Sequence, residues 1–583
     1  MKLKDCFKSY TKDLDKAVSP EETVERVKKV LDADGNGVLE ETRRIDTGRL
    51  GIPVFLSMCG EKARQVMPTR KQMGKGASPI QAEASALMEL VERYSFFSFW
   101  DDDENFDELT WSDAKEKWPG QVMDISEILK SVDEEMDADQ AEMLMDLVEW
   151  KFYPVHDVAA DKTVYAPLDW FKKLNEFNGS SAGNTLEESI LQGGCELVER
   201  HVCAIIDREE PELPTITHES CDSPVLQELI ECFTKNNIQL VLKDVSLGMP
   251  VPTVAAVAWD PKTFPTLSEI VFTAGTAATP EKAAIRAITE VAQLAGDFEA
   301  GQVYEPSGLA KYGTIEEIDW LRKGEEVALS TLPSVEDNNI LTELRTLAQG
   351  LEDLGYSLYS VDTTQEDIKQ AANYNFVPGF KFRERTPHAS LGMFIGRILA
   401  EDAIILEAER GLDILDGVYP KSHFVPFFKG LLGVRSGDFR PATEHFAAAE
   451  DLQPSKEEKA LVIFYRAHTL TLMNEWDNAM PHLDRAIEID DQCKEFFNLR
   501  GVGYFHKEEF ETAIKDFQAA LDLDNGSASD LANLGICYKR LGQKDDAIHF
   551  LRAALAVDYN YSLDYARTAL DELEAGYEAE KVL

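Results

Sequence analysis

The order of apolar and polar positions divides this chain into two halves of different character. Over residues 1–400, short strand-like runs alternate with helical patterns. Strands are expected at Thr163–Leu168, Ile238–Asp244, Pro252–Trp259, Ile270–Thr273 and Tyr356–Val361. Such alternation predicts an α/β or α+β domain. A helical linker at 401–423 leads into a domain at 424–583 with a regular period. Gly501, Tyr504, Ala513, Phe517 and Ala520 recur 34 residues later as Gly535, Tyr538, Ala547, Leu551 and Ala554. Thirty-four residues earlier stand Ala467, Leu470, Ala479, Leu483 and Ala486, and a further unit begins at Gly430 and Gly433. That period predicts stacked helix pairs, an all-α solenoid over 424–577, with a polar-faced capping helix at about 561–577.

Within the first half, three helical stretches share one polar register. Each starts at a hydroxyl residue suited to capping a helix: Ser78, Thr185 and Thr279. At 3, 7, 11 and 14 positions past the cap, the first helix has Gln81, Ser85, Glu89 and Glu92. The second has Glu188, Gln192, Glu196 and Glu199; the third has Lys282, Arg286, Glu290 and Gln293. Steps of four, four and three place these side chains on one helical face. The positions between them are mostly apolar or small, and Glu-Leu-Val-Glu-Arg occurs identically at 89–93 and 196–200. A single such stripe reads as the solvated face of an amphipathic helix. Three in one register predict helices packed on most sides, with their polar lines facing a shared cavity. Carboxylates gathered there repel one another in low dielectric and call for cations. An all-oxygen ligand set suits Mg²⁺, and Arg93, Arg200, Arg286 and Lys282 offer donors for phosphates. The combination points to a nucleoside triphosphate site.

Composition narrows the possibilities. A formal charge of −47 argues against direct nucleic-acid binding and suits a basic protein client. No stretch approaches the roughly 20 apolar residues of a membrane span, and the N-terminus lacks a signal-like apolar core. The eight cysteines are scattered without a Cys-x-x-Cys pair, as expected of reduced thiols in a cytoplasmic protein. Cys195, beside Glu196, reads as core packing. Asp32, Asp34, Asn36 and Gly37 mimic the start of a calcium loop, but its last ligand position is Arg43; the expectation is a turn between a helix and a strand. The acidic run at 101–104 reads as a solvated loop.

Particular motifs carry a family resemblance. They are Gly-Arg-Leu-Gly-Ile-Pro-Val at 48–54, Gly-Lys-Gly-Ala at 74–77 leading into Glu-x-x-Glu-Arg, and Ser-Ala-Gly-Asn at 181–184 leading into the second Glu-x-x-Glu-Arg. Arg286-x-x-x-Glu290 and Val377-Pro-Gly379 follow. Over about 1–400 the chain resembles the YcaO family, and the repeats resemble tetratricopeptide repeats. The resemblance implies a domain that binds ATP and Mg²⁺ and phosphorylates a peptide-backbone amide oxygen, so that a nucleophile can add and phosphate leave. By the same resemblance, Glu89, Glu92, Glu188, Glu196, Glu199 and Glu290 correspond to magnesium or ATP-site acids. Ser85, Asn184, Gln192, Arg200 and Arg286 correspond to residues that hold the nucleotide, and Lys16 and Thr23 fit an N-terminal lysine–hydroxyl spacing of the family. Glu89, Glu196, Arg200, Arg286 and Glu290 are the expected catalytic set.

Peptide-cyclising members of the family commonly end in a proline-rich tail, whereas this sequence ends Glu580-Lys-Val-Leu583. No fused leader-peptide or E1-like domain is recognisable. The expectation is therefore an accessory factor for protein modification, such as methylthiolation of a basic ribosomal protein or thioamidation. The repeats would recruit a partner protein or mediate self-association. Two alternatives stand beside it: a non-catalytic repeat scaffold with a vestigial ATP-binding domain, and an azoline-forming cyclodehydratase.

Overall fold

A computed structural model describes residues 1–32, 37–46, 48–294, 298, 312–383, 389–524, 526–557 and 563–582. Two compact units are present, Met1–Ala389 and Ser390–Leu583.

In chain order the strands of the first unit are β1 (Leu39–Arg44), β2 (Val54–Cys59), β3 (Lys71–Lys75), β4 (Asp107–Leu109), β5 (Trp150–Asp157), β6 (Lys162–Pro167) and β7 (Ser180–Ala182). They continue as β8 (Thr215–Ile216), β9 (Gln239–Asp244), β10 (Thr253–Trp259), β11 (Val271–Thr276), β12 (Glu326–Val327), β13 (Tyr359–Asp362) and β14 (Ala372–Phe376). They form three sheets, with orders β1-β2-β3, β4-β5-β13-β14-β7 (β6 pairing with β5) and β11-β10-β9-β8-β12. The helices that matter for the site are α1 (Pro20–Asp32), α2 (Pro79–Asp101), α3 (Leu186–Glu209), α4 (Pro280–Gln293) and α5 (Ile340–Asp353).

The three polar-striped helices α2, α3 and α4 each follow a strand that ends its sheet: β3, β7 and β11. Ser78, Thr185 and Thr279 cap them, each hydroxyl accepting from the backbone N–H three residues on, at Gln81, Glu188 and Lys282. The strand residue four before each cap is small: Gly74, Ser181 and Gly275. A Cβ on Gly74 would run into the backbone of Ala82 and Ala86, and one on Gly275 into that of Ala283 and Ala287. Ser181 keeps its side chain at the equivalent place. Its carbonyl accepts from the Ser189 hydroxyl at 3.0 Å, and its own hydroxyl would be 2.7 Å from a Cβ on Gly193. These contacts fall 4 and 8 residues past each cap. The repeated polar register thus belongs to a repeated strand–turn–helix unit, in which small residues let the strand lie directly on its helix.

The helices are buried on most sides. Ala82, Ala86, Leu87, Leu90 and Val91 are inaccessible in α2, as are Leu197 and Val198 in α3 and Ala283, Ala287 and Ile288 in α4. The exposed acidic run Asp101–Glu104 closes α2 and enters a short 3-10 turn. The turn between α1 and β1, with Asp34 and Asn36 of the calcium-like motif, falls largely outside the described residues.

In the second unit, the linker range 401–423 holds the helix Ile405–Val418, and a separate helix, Leu391–Glu401, precedes it. Four helix pairs follow, beginning at Phe424, Lys456, Lys494 and Ala528, and then the helix Asp564–Val582. Ala442, Ala479, Ala513 and Ala547 recur at the same place in each pair and are wholly buried. Complete burial of this small residue in every pair accounts for its recurrence along the repeats. Among the described residues, no helix is long and apolar enough to cross a membrane.

Candidate functional site

The polar lines of α2, α3 and α4 face one cavity of about 480 Å³, within the range of small-molecule sites. Its walls include Ser85, Glu89 and Glu92 from α2, Glu188, Gln192, Glu196, Glu199 and Arg200 from α3, and Arg286 and Glu290 from α4. Asn184 lines it from the turn before α3, and Lys16 and Thr23 line it from the N-terminal segment and α1. None of these side chains belongs to a fully exposed residue, so the stripes are not solvated faces.

The N-terminal segment is tied across the start of α3. Glu188 accepts from the Ala17 N–H at 2.9 Å and from the Asn184 side chain at 3.0 Å, and pairs with Lys16 at 3.3 Å. Asn184 Oδ1 accepts from the Thr23 hydroxyl at 2.9 Å and from Arg26 at 2.5 Å. The Lys282 ammonium donates to the Thr11 and Lys12 carbonyls at 2.8 and 3.2 Å. It holds this segment in place and is not part of the cavity wall, unlike the phosphate donor its stripe position suggests. Arg93 does reach the cavity, but its guanidinium lies over Phe177 and donates to Ser180 at 3.0 Å. Arg286 donates through Nη1 to Gln192 at 2.9 Å, while its buried Nε has no partner. That orphaned donor, on an arginine aimed into the cavity, fits an anionic ligand.

The carboxylates are held apart by protein donors. Glu196 pairs with Arg200 at 2.9 Å, Glu92 accepts from the Ser180 hydroxyl at 2.9 Å, Glu199 accepts from the Thr276 N–H at 2.8 Å, and Glu290 pairs with Lys75. Among the described residues, no three potential ligands stand close enough to form a ready-made metal cage. Burial pushes Glu92 up to about 8 and raises Glu89 and Glu199. Burial, with Arg286 nearby, pushes Lys75 down to about 8 against the pull of Glu199, Glu89 and Glu196. An oxygen-rich set of repelling acids fits a hard divalent cation, which would bring the acids together and favour their charged forms. Cys195 is buried and pushed up to about 12, as suits an inert packing thiol.

These shifts predict a pH signature. The folded protein holds protons on its raised glutamates more tightly than the unfolded chain does. This site's contribution to stability therefore falls as pH rises from about 4.5 to 8. Between about 8 and 10.5 the sign reverses, because Lys75 gives up its proton earlier in the folded state. Glu92→Gln is expected to flatten the lower slope and to stabilise the ligand-free protein at pH 8 by a few kcal/mol, at about 1.4 kcal/mol per unit of displaced pKa. Urea unfolding between pH 5 and 9 measures this; an unchanged slope would contradict it.

Sequence reasoning did not assign Lys75, Asp13 or Arg383, which also line the cavity. Lys75 was visible only as a letter in the Gly-Lys-Gly-Ala motif.

Residues 73–381 match the family described as YcaO cyclodehydratase, ATP- and Mg²⁺-binding. The chain belongs to the YcaO family. Residues 531–561 match the tetratricopeptide repeat, an architecture associated with protein–protein interaction. An uncharacterised protein of Methanothermobacter thermautotrophicus is 28% identical over 398 residues, covering 63% of this chain and 94% of that protein. The ribosomal protein S12 methylthiotransferase accessory factor YcaO of Escherichia coli is 30% identical over 208 residues, covering 32% of this chain and 35% of that protein. This alignment thus spans about a third of the Escherichia coli protein. A heterocyclase solved in complex with substrate and cofactor shares the fold, with a TM-score of 0.50 and 21% identity over 66% of this chain and 54% of that one. The ligands of the YcaO domain are ATP and Mg²⁺.

Proposed function

We propose that this YcaO protein uses Mg²⁺ and ATP to activate a peptide-backbone amide by O-phosphorylation, as an accessory factor in modifying a protein client. The observation that carries this reading is the meeting of all the family-matched acids, amides and arginines at one shielded cavity. When bound, Mg·ATP supplies the phosphoryl group that makes the amide oxygen a leaving group. Glu89, Glu92, Glu196, Glu199 and Glu290 would hold the metal, with Glu188 beside them also fixing Asn184 and Lys16. Arg286 and Arg200 would bind phosphate oxygens and offset the charge that develops during transfer. Ser85, Asn184, Gln192, Lys16 and Thr23 would orient the nucleotide. Catalysis would then rest on positioning and charge neutralisation more than on a side-chain nucleophile.

The client is proposed to be a basic protein, ribosomal protein S12 or one like it, drawn by the charge of −47 and recruited through the repeats. The eight cysteines are unpaired, consistent with action in a reducing cytoplasm. The test is ATP consumption by the purified protein with a peptide client, with Mg²⁺ and again after chelation. Metal-dependent phosphate release supports the reading; its absence with every client tried would favour the scaffold with a vestigial domain.

All residues lining the cavity lie in Met1–Ala389. A chain truncated after Ala389 is expected to bind Mg²⁺ with the non-hydrolysable analogue AMPPCP within about threefold of full length, a difference under 1 kcal/mol. It should lose client modification in cells. Calorimetry checks the first point, and a large fall in affinity would place part of the nucleotide site in the second unit.

A further inference from the structure

Lys75 is a cation set among the acids. It is the last residue of β3, three positions before the cap of α2, and its backbone is fixed because Gly74 lies directly on Ala82 and Ala86. Its side chain lines the same cavity as Glu89, Glu196, Glu199 and Glu290 and pairs with Glu290. The equivalent residues of the other two strand–turn–helix units are Ala182 and Thr276, neither of them charged. The unit that differs is thus the one that brings an ammonium to the carboxylates of all three helices. Arg286, whose buried Nε has no partner, lines the same cavity, which suits an anion there.

We propose that Lys75 is a built-in counter-ion of Glu290 that yields this carboxylate to the metal and turns to the phosphates of the nucleotide when Mg·ATP binds. The inference rests on the nucleotide reading of the cavity. Paired with Glu290, the Lys75 ammonium neutralises that carboxylate and offsets the like charges of the three helices. It also competes with free Mg²⁺ for that carboxylate, so that metal binds well only together with nucleotide. Once Glu290 is taken by the metal, Lys75 is released within reach of phosphate oxygens beside Arg286. No covalent step is involved. Lys75 couples occupancy by metal to occupancy by nucleotide, a binding role distinct from that of the arginines.

The test uses the full chain and two probes, Mn²⁺ alone and AMPPCP with Mg²⁺. Lys75→Gln is expected to bind Mn²⁺ alone about tenfold more tightly or better, because the competing cation is gone. The same variant should bind Mg·AMPPCP about ten- to a hundredfold more weakly, the worth of one charge-assisted hydrogen bond. Lys75→Arg, which keeps the charge, should restore both affinities toward those of the wild type. Two affinities that fall together in Lys75→Gln, or that do not change, overturn the proposal. If the wild type itself fails to bind Mg·AMPPCP, the nucleotide reading fails instead. Should Lys75→Gln not fold, the structure of the wild type with Mg·AMPPCP decides: Nζ on a phosphate oxygen supports the proposal, and Nζ still on Glu290 overturns it.

Discussion

Arg286→Ala and Glu290→Ala are each expected to reduce metal-dependent ATP turnover by about a thousandfold or more, the scale seen when a charge-stabilising group is removed from a phosphoryl-transfer site. Arg286 lines the cavity, holds Gln192 through one nitrogen and leaves another buried and unpartnered. Its loss removes a donor for phosphate without opening the core, since the apolar side of α4 is formed by Ala283, Ala287, Ile288 and Val291. Glu290 lines the cavity and has Lys75 as its one partner among the described residues, so that exchanging this ion pair frees its carboxylate for a metal. Both variants should unfold within a few degrees of the wild type. Single-turnover phosphate release, with thermal unfolding as control, measures the outcome. Wild-type rates in either variant would contradict the assigned roles.

A second large effect is expected where strand meets helix. Gly74→Val and Gly275→Val should each destabilise the first unit by roughly 3 kcal/mol or more. In both cases the new side chain collides with helical backbone, which cannot rotate away: Ala82 and Ala86 at Gly74, Ala283 and Ala287 at Gly275. Lifting β3 from α2, or β11 from α4, would also displace Lys75 or the Thr276 N–H that holds Glu199. Loss of stability and of nucleotide binding should therefore appear together. Urea unfolding and calorimetry report the two effects, and native behaviour in both variants would show that these close approaches do not set the site.

The site was more legible in the sequence than the sheets around it. Helix periodicity and the hydroxyl caps fix which residues share a face, so aligning three caps aligned the acids as well. The strands expected at Ile238–Asp244 and Pro252–Trp259 appear within a residue as β9 and β10, because they are apolar and nearly continuous. The run at Ile270–Thr273 continues to Thr276, through Gly275, a residue that usually interrupts a strand pattern. Other strands left little trace. β1 reads Leu-Glu-Glu-Thr-Arg-Arg and buries mainly Leu39. β5 contains Pro154. β14 buries Asn373 and Asn375, whose amide nitrogens donate to the Val361 carbonyl at 3.2 Å and the Gly179 carbonyl at 2.9 Å, while their Oδ1 atoms have no partner. Buried polar residues held by tertiary partners defeat a reading based on alternation. Lys75 was missed for a related reason: its meaning comes from the acids that α3 and α4 bring to it across the fold, and no local pattern records that.

The most direct test of the account is a crystal structure of the protein with Mg²⁺ and AMPPCP. Metal density is expected among carboxylates contributed by α2, α3 and α4, Glu89, Glu196 and Glu290 among them, with Arg286 on a phosphate. Nucleotide bound elsewhere, or carboxylates still paired with Arg200, Thr276 and Lys75 while the analogue is bound, would contradict it.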